Sequence, residues 1–210
     1  MFKDRADAGR HLAKRLAPYA GQAAIVLALP RGGVVVGHEI AEALGLLLDI
    51  VVARKIGHPT NPEYAICAVD EKGTLVCNEV EARRVDRKWL EKQMKLEQAE
   101  AQRRSRVYRQ GRPPIAIGGK IAVIVDDGIA TGLTMRLAIL AVRAQKPARV
   151  VVAVPVAPSD VAETIREEVD ELVVLEPPEE FQGAVGAHYE RFDQVEDDEV
   201  IRLLAKTKDL

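Results

Sequence analysis

The sequence predicts an α/β fold, a doubly wound, mostly parallel sheet flanked by helices. Three observations lead there. Short apolar runs without polar alternation recur along the chain, as in strands covered on both faces. Segments with apolar residues at helical spacing lie between them. The order strand, helix, strand then repeats, which implies parallel neighbours joined by right-handed crossovers. In such sheets ligands bind outside the carboxyl ends of the strands.

Each element has its own signal. Phe2 to Tyr19 reads as an amphipathic helix, with Leu12, Ala13, Leu16 and Ala17 on one face. Ala23 to Leu29 is an apolar run too short for a typical helix and ended by Pro30, so it reads as a buried strand. Val36, Ile40, Ala41 and Leu44 repeat at helical spacing, and Gly45 can cap that helix. Leu46 to Ala53 is a second buried strand. The unit recurs as strand Ile121 to Val125, helix Leu133 to Arg143 and strand Val150 to Pro155. Helix Val161 to Val169 and strand Glu171 to Leu175 follow.

Two segments interrupt the alternation. Arg54 to Val80 carries Gly57, Pro59, Pro62 and Gly73 and reads as a long loop plus a hairpin around Glu71-Lys72-Gly73. Glu79 to Arg112 is densely charged and lacks Pro and Gly until Gly111, so one long helix or two are expected. Its apolar stripe is thin (Val85, Trp89, Leu96, Val107), which suits a solvated helix lying across the sheet or a neighbouring subunit. Basic residues outnumber acidic ones there, and a phosphate-attracting lid or an RNA surface is the alternative. The expected organisation is a single domain over residues 1–210. Its core spans about 20–175, a helical insertion about 79–112 and a small C-terminal hood about 176–210.

Composition narrows the function. Hydrophobic residues make up 48% and charged residues 30%, a globular balance. A net charge of -2 argues against a protein that coats nucleic acid, though not against a local basic patch. No apolar run approaches the roughly 20 residues that cross a bilayer, and Met1 to Arg10 is charged, without a signal-peptide core. A cytoplasmic protein without membrane partners is expected. Cys67 and Cys77 lack zinc spacing and read as two small core thiols in a reducing compartment.

The chemistry concentrates in Val123 to Thr134. An apolar strand ends in two carboxylates, Asp126 and Asp127; a small-residue loop follows and opens a helix. Thr131 and Thr134 supply hydroxyls, and Gly132 lets backbone approach a ligand. Free N–H groups at a helix start bind anions. An acid pair beside such a cradle suits a phosphorylated polyol, whose hydroxyls donate to the carboxylates. A plain helix N-cap at Thr131 is the simpler reading, but it leaves the adjacent aspartates unexplained. The P-loop, the dinucleotide fingerprint and the zinc-protease HExxH spacing are all absent.

Asp126-Asp127-Gly128-Ile129-Ala130-Thr131-Gly132, with its preceding strand, resembles the phosphoribosyl pyrophosphate (PRPP) motif of type I phosphoribosyltransferases. Pro30-Arg31-Gly32-Gly33 resembles that family's pyrophosphate loop, which often holds a non-proline cis peptide, here Pro30–Arg31. Arg54-Lys55 and the loop to Tyr64 resemble its mobile catalytic loop. Leu175 to Phe181, with Gly186 and Tyr189, resembles the base-holding hood of hypoxanthine-guanine enzymes, but Leu175 falls where those use a stacking aromatic. The resemblance implies Mg²⁺-dependent transfer of a 5-phosphoribosyl group from PRPP to a nitrogen nucleophile, a base or an amine. It implies that Asp126 and Asp127 hold ribose hydroxyls and, through water, Mg²⁺, with Lys55 also catalytic. Ala130, Thr131, Gly132, Leu133 and Thr134 would hold the 5′-phosphate, Arg31, Gly32 and Gly33 the pyrophosphate, and Gly128 would also bind substrate. Leu175 and Phe181 would border the acceptor. A homo-oligomer, a dimer, is expected and a nucleic-acid partner is not. A non-catalytic PRPP-sensing regulator, with RNA binding through the basic helical segment, is the alternative function.

Overall fold

The computed structural model describes residues 1–176 and 178–206, without the side chains of Glu63 and Pro178. Helix α1 (Arg5–Arg15) starts where Asp4 accepts from the Asp7 N–H at 2.9 Å. It ends before Pro18, and a 3₁₀ turn covers Ala17–Tyr19. Strand β1 (Ala24–Ala28), helix α2 (Gly32–Leu44) and strand β2 (Leu47–Ile50) form the first crossover unit. Strands β3 (Ala53–His58), β4 (Asn61–Asp70) and β5 (Leu75–Cys77) follow. Two helices come next, α3 (Glu79–Ala82) and α4 (Arg87–Tyr108). The second half runs β6 (Ile121–Val125), α5 (Leu133–Arg143), β7 (Arg149–Val154), α6 (Ser159–Glu168), β8 (Glu171–Val174) and α7 (Asp197–Lys206).

The main sheet has the order β2-β1-β6-β7-β8, and each neighbouring pair is parallel. The two-residue period of a strand sends alternate side chains to opposite faces. Val26 and Ala28 of β1 therefore join Leu12, Val36 and Ile40, from α1 and α2. Ile25 and Leu27 join Ile139 of α5 and Ile165 of α6. Helices thus cover both faces, and burial of these aliphatic chains, each worth roughly 1.5–3 kcal/mol, holds the layers together. The crossovers change direction between β1 and β6, so that the two carboxyl ends flank a crevice.

The segment expected to be mainly a loop is instead a three-stranded antiparallel sheet, β3-β4-β5. Gly57, Pro59 and Pro62 gather where the β3–β4 ladder is irregular, with register shifts around Gly57. Gly57 packs so closely on the Pro62 carbonyl that a Cβ there would collide. Pro and Gly therefore mark a bulged hairpin end rather than absence of structure. The hairpin at Glu71 to Gly73 is present, closed by Asp70, whose Oδ1 accepts from the Lys72 and Thr74 N–H groups at 2.8 Å each.

That hairpin corrects the reading of the cysteines. Cys67 and Cys77 are register partners on β4 and β5, their Cα atoms 4.0 Å apart, and they form a disulfide rather than two free thiols. A spacing that excludes zinc does not reveal which residues a turn sets face to face.

The charged insertion is two helices, separated near Asp86, whose carboxylate accepts from the Trp89 N–H at 2.8 Å. Val85 and Trp89 pack on Ile56, Ile66 and Val69 of the small sheet. Leu96 is exposed, contrary to its place in the expected stripe, and Ala101 and Tyr108 are buried instead. Past the end of α4, Arg109 is buried. Its Nε donates to Asp49 Oδ1 at 2.8 Å and its Nη2 to the Ile50 carbonyl at 2.7 Å. Asp49 Oδ2 accepts from the Ile115 N–H at 2.8 Å. This network pins the insertion to the edge strand β2.

Helix α7 lies within the stretch read only as a hood. Val200, Leu203 and Leu204 are buried against the α2 face of the sheet, following ordinary i, i+3, i+4 spacing. Residues 177 and 207–210 of the expected hood lie outside the described residues. No described helix is long and apolar enough to cross a membrane.

Candidate active site

A cleft of about 410 Å³ opens at the carboxyl ends of β1 and β6, where the sheet topology requires a crevice. The loop after β1 supplies one wall. Leu29 N–H donates to the Val125 carbonyl at 2.9 Å, tying this loop to the end of β6. The Pro30–Arg31 peptide bond is cis, and α2 begins at the next residue. A methyl group on Gly32 would collide with the Asp127 carboxylate. Glycine is therefore required for this loop to lie against the acid pair.

The acid pair forms the floor. Asp127 N–H donates to Asp126 Oδ1 at 2.8 Å. Asp127 Oδ2 accepts from Arg5 Nε at 2.6 Å, and the Asp127 carbonyl accepts from the Tyr189 hydroxyl at 2.6 Å. Burial, and then the charge of Asp127, hold the Asp126 carboxyl well above the usual carboxylate range. The two carboxylates are thus chemically distinct although adjacent in sequence.

Beyond them the chain makes a tight entry into α5. Gly132 is its N-cap, in the left-handed region at φ 76°, and a Cβ there would strike Val161. No side chain caps α5. Thr131 is not the N-cap, because the left-handed turn moves the cap one residue on. Thr131 and Thr134 both line the cleft, and among the described residues neither hydroxyl has a hydrogen-bond partner. The helix start therefore presents uncapped N–H groups, its positive dipole end and two hydroxyls to the cavity.

Cations line the remaining walls. Arg54 and Lys55 reach the cleft from β3, and Arg104 reaches it from α4. Arg54 Nε donates to Glu97 at 2.8 Å and Arg104 Nε to Glu100 at 2.8 Å. Hydrogen bonds from Arg103 and Arg104 push the Glu100 carboxyl down to about 2. Arg31 Nη1 lies 3.7 Å from Glu196 and 3.6 Å from Asp197. On the opposite side, the Arg5 guanidinium stacks 3.7 Å from the centre of the Phe192 ring. Among the described residues no group of three or more His, Cys, Asp or Glu side chains gathers as a metal site. The acid pair is what the cleft offers a cation.

Most residues singled out in the sequence meet here. Asp126, Asp127, Gly128, Ala130, Thr131, Gly132 and Thr134 line the cleft from one loop. Lys55 lines it from β3, and Arg31 and Gly32 from the β1–α2 junction. Four do not reach it. Gly33 packs beneath, against the Asp126 backbone. The Leu133 side chain turns away to Ala65, Ala68 and Leu137. Leu175 packs with the buried cluster of Phe2 and Tyr189. Phe181 stacks on the buried His188, ring centres 5.3 Å apart, so the ring is committed inside the hood. Val185 and Phe192 form the apolar wall instead. Arg5, Arg104, Val185 and Phe192 carry no local motif, and only the packing of distant elements brings them to the cleft.

Uncapped helix N–H groups, an acid pair and a ring of cations thus share one cleft at the switch point of a doubly wound sheet, a donor set that suits a phosphorylated, polyhydroxylated ligand. The chain belongs to the phosphoribosyl transferase domain family, whose sequence profile matches residues 2–190. It is 45% identical over 206 residues to proteins of two Mycobacterium tuberculosis strains, each provisionally named a phosphoribosyl transferase. Those matches cover 97% of this chain and 46% of the relatives, so the chain spans about half the length of the curated relatives it matches. A crystal structure of a protein from Thermus thermophilus superposes with a TM-score of 0.81 at 44% identity and covers 98% of both chains.

Proposed function

We propose that the protein transfers a 5-phosphoribosyl group from PRPP to a nitrogen nucleophile and releases pyrophosphate. In that reaction the bond from the anomeric carbon to pyrophosphate breaks, a bond to nitrogen forms and the nitrogen loses a proton. The observation that carries the reading is the acid pair set between the uncapped start of α5 and the Arg31–Lys55 walls of one cleft. The 5′-phosphate sits on the α5 start, the ribose hydroxyls donate to Asp126 and Asp127, and the pyrophosphate meets Arg31, Gly32 and Lys55. The transition state carries positive charge on the sugar, so positioning and charge stabilisation are the protein's main work.

Mg²⁺ fits this donor set, because it keeps several waters and takes one or two carboxylates together with substrate phosphates. Asp126 and Asp127 would hold it through water, and it would supply charge neutralisation at the leaving pyrophosphate.

The direct test is pyrophosphate release when PRPP and Mg²⁺ are presented with a panel of nitrogen bases and amines. Thermal melts accompany it. At a hundredfold excess over its dissociation constant a ligand of the native state stabilises by about 2.7 kcal/mol, or about 5–10 °C for a chain of this size. An unmoved melting curve defeats the proposal. A shift without turnover on any acceptor favours a PRPP-sensing regulator instead.

The α5 start gives a second test. Thr131→Ala with Thr134→Ala is expected to weaken ribose 5-phosphate binding by about tenfold or more, since a hydrogen bond to a charged group contributes roughly 1.5–3 kcal/mol. The melting temperature of the free protein should barely change, because neither hydroxyl caps the helix. Titration calorimetry beside a melt reads both quantities; lost stability with unchanged affinity would assign the threonines to folding alone.

A further inference from the structure

We infer that the charged helix α4 is part of the binding site, and that Arg104 is a pyrophosphate-binding residue supplied by this insertion. The inference rests on the PRPP reading above and extends it to an element outside the family-like loops.

Helical spacing sets the geometry. Positions 97, 101, 104 and 108 share one face of α4. Glu97 on that face holds Arg54 of β3, Ala101 and Tyr108 are buried, and Arg104 lines the cleft between them. The helix is anchored at its C-terminal end by the buried Arg109–Asp49 pair and by the Tyr108 hydroxyl, which donates to Asp197 Oδ1 at 2.7 Å. A helix held in this way delivers its arginine to a fixed place. A merely solvated helix would need neither this buried ion pair nor the Tyr108 anchor.

The hydrogen-bond pattern leaves Arg104 available. It gives Glu100 its Nε, and among the described residues no terminal nitrogen of Arg104 has a hydrogen-bond partner. Arg54 is arranged in the same way, with Nε on Glu97. Guanidinium forks held by the inner nitrogen present their outer donors to a bidentate anion, the geometry that suits phosphate oxygens. Arg31, Arg54, Lys55 and Arg104 all line the one cavity. The multiply charged pyrophosphate half of PRPP is the ligand portion that such a cluster matches.

Glu100 is not stranded when Arg104 is changed, because Arg103 also holds it through two nitrogens, at 2.7 and 2.9 Å. Arg104→Gln is therefore a clean probe. The full chain, with Mg²⁺, is titrated with inorganic pyrophosphate, PRPP and ribose 5-phosphate. The expected result is a loss of about ten- to a hundredfold in affinity for pyrophosphate and PRPP. Ribose 5-phosphate affinity and the melting temperature should be unchanged, and Arg104→Lys should recover part of the loss. Unchanged pyrophosphate affinity in Arg104→Gln overturns the inference, as does a parallel loss for ribose 5-phosphate. If the unaltered protein binds neither PRPP nor pyrophosphate, the PRPP reading falls and takes this inference with it.

Discussion

Asp126→Asn is expected to make the free protein more heat-stable near neutral pH while lowering kcat/KM for PRPP by about ten- to a hundredfold. Burial and the neighbouring Asp127 charge raise the Asp126 carboxyl well above its usual range. The fold therefore favours the protonated form. The stability this contributes is fully present below the ordinary carboxylate pKa of about 4 and is lost as pH rises through the folded-state value. Asparagine is never ionised, keeps an oxygen that can accept from the Asp127 N–H, and escapes that loss. Melting curves of the two proteins should lie close together in acid and separate as pH rises, with the variant above. Bound ribose hydroxyls and Mg²⁺ would favour the ionised carboxyl, so the functional cost is the loss of a charged acceptor in the PRPP complex, roughly 1.5–3 kcal/mol. A variant no more stable at pH 8 than at pH 4, relative to the unaltered protein, would show that the carboxyl is not destabilised in the folded state. Such opposed changes are common where a strained active site favours function over stability.

Arg109→Ala is expected to destabilise by about 3–5 kcal/mol, the usual cost of removing one partner from a buried ion pair. For a chain of this size that corresponds to a fall of about 6–20 °C in melting temperature. The side chains of Arg109 and Asp49 are each only 8% exposed. Alanine would leave Asp49 ionised in the interior and the Ile50 carbonyl without its donor. The pair need not itself be a net source of stability, because desolvating two charges offsets most of their attraction. Arg109→Met with Asp49→Asn should therefore recover part of the loss: the buried pair strands no charge, and the asparagine oxygen can still accept from the Ile115 N–H, although its amide NH2 then faces the Ile50 N–H. Denaturant melts of the single and double variants check this, and a double variant as unstable as the single one would rule out charge stranding as the cause. The same variants test the anchoring of α4. Arg109→Ala should also loosen the approach of Arg104 to the cleft and weaken pyrophosphate binding under conditions where the protein remains folded.

Much of the frame was legible because strong local patterns coincide with buried structure. The α5 boundaries, Leu133–Arg143, match the expected helix, since its apolar spacing and the small-residue entry agree. The strand before the acid pair was equally plain, because a fully covered parallel strand has almost no polar residues. Helix α2 begins earlier than its periodicity suggests, at Gly32, because two glycines hide a helix start that tertiary packing on the acid pair imposes. Helix α7 lies within the expected hood, where its short, regular apolar spacing is buried only by packing on the α2 face of the sheet.

By itself the sequence determined the parallel α/β frame, the loop that ends in two aspartates and the small-residue entry to the following helix. These depend on neighbours in the chain: the two-residue and 3.6-residue periods, and the backbone freedom of glycine. Only the tertiary structure decided which distant side chains complete the cleft. It brings Arg5 from the first helix onto Asp127, Arg104 from the charged insertion onto the cation wall, and Phe192 rather than Leu175 or Phe181 to the apolar side. It also sets Cys67 opposite Cys77. Such meetings follow from strand register and from how helices pack on the two faces of the sheet, and no local window of residues contains either.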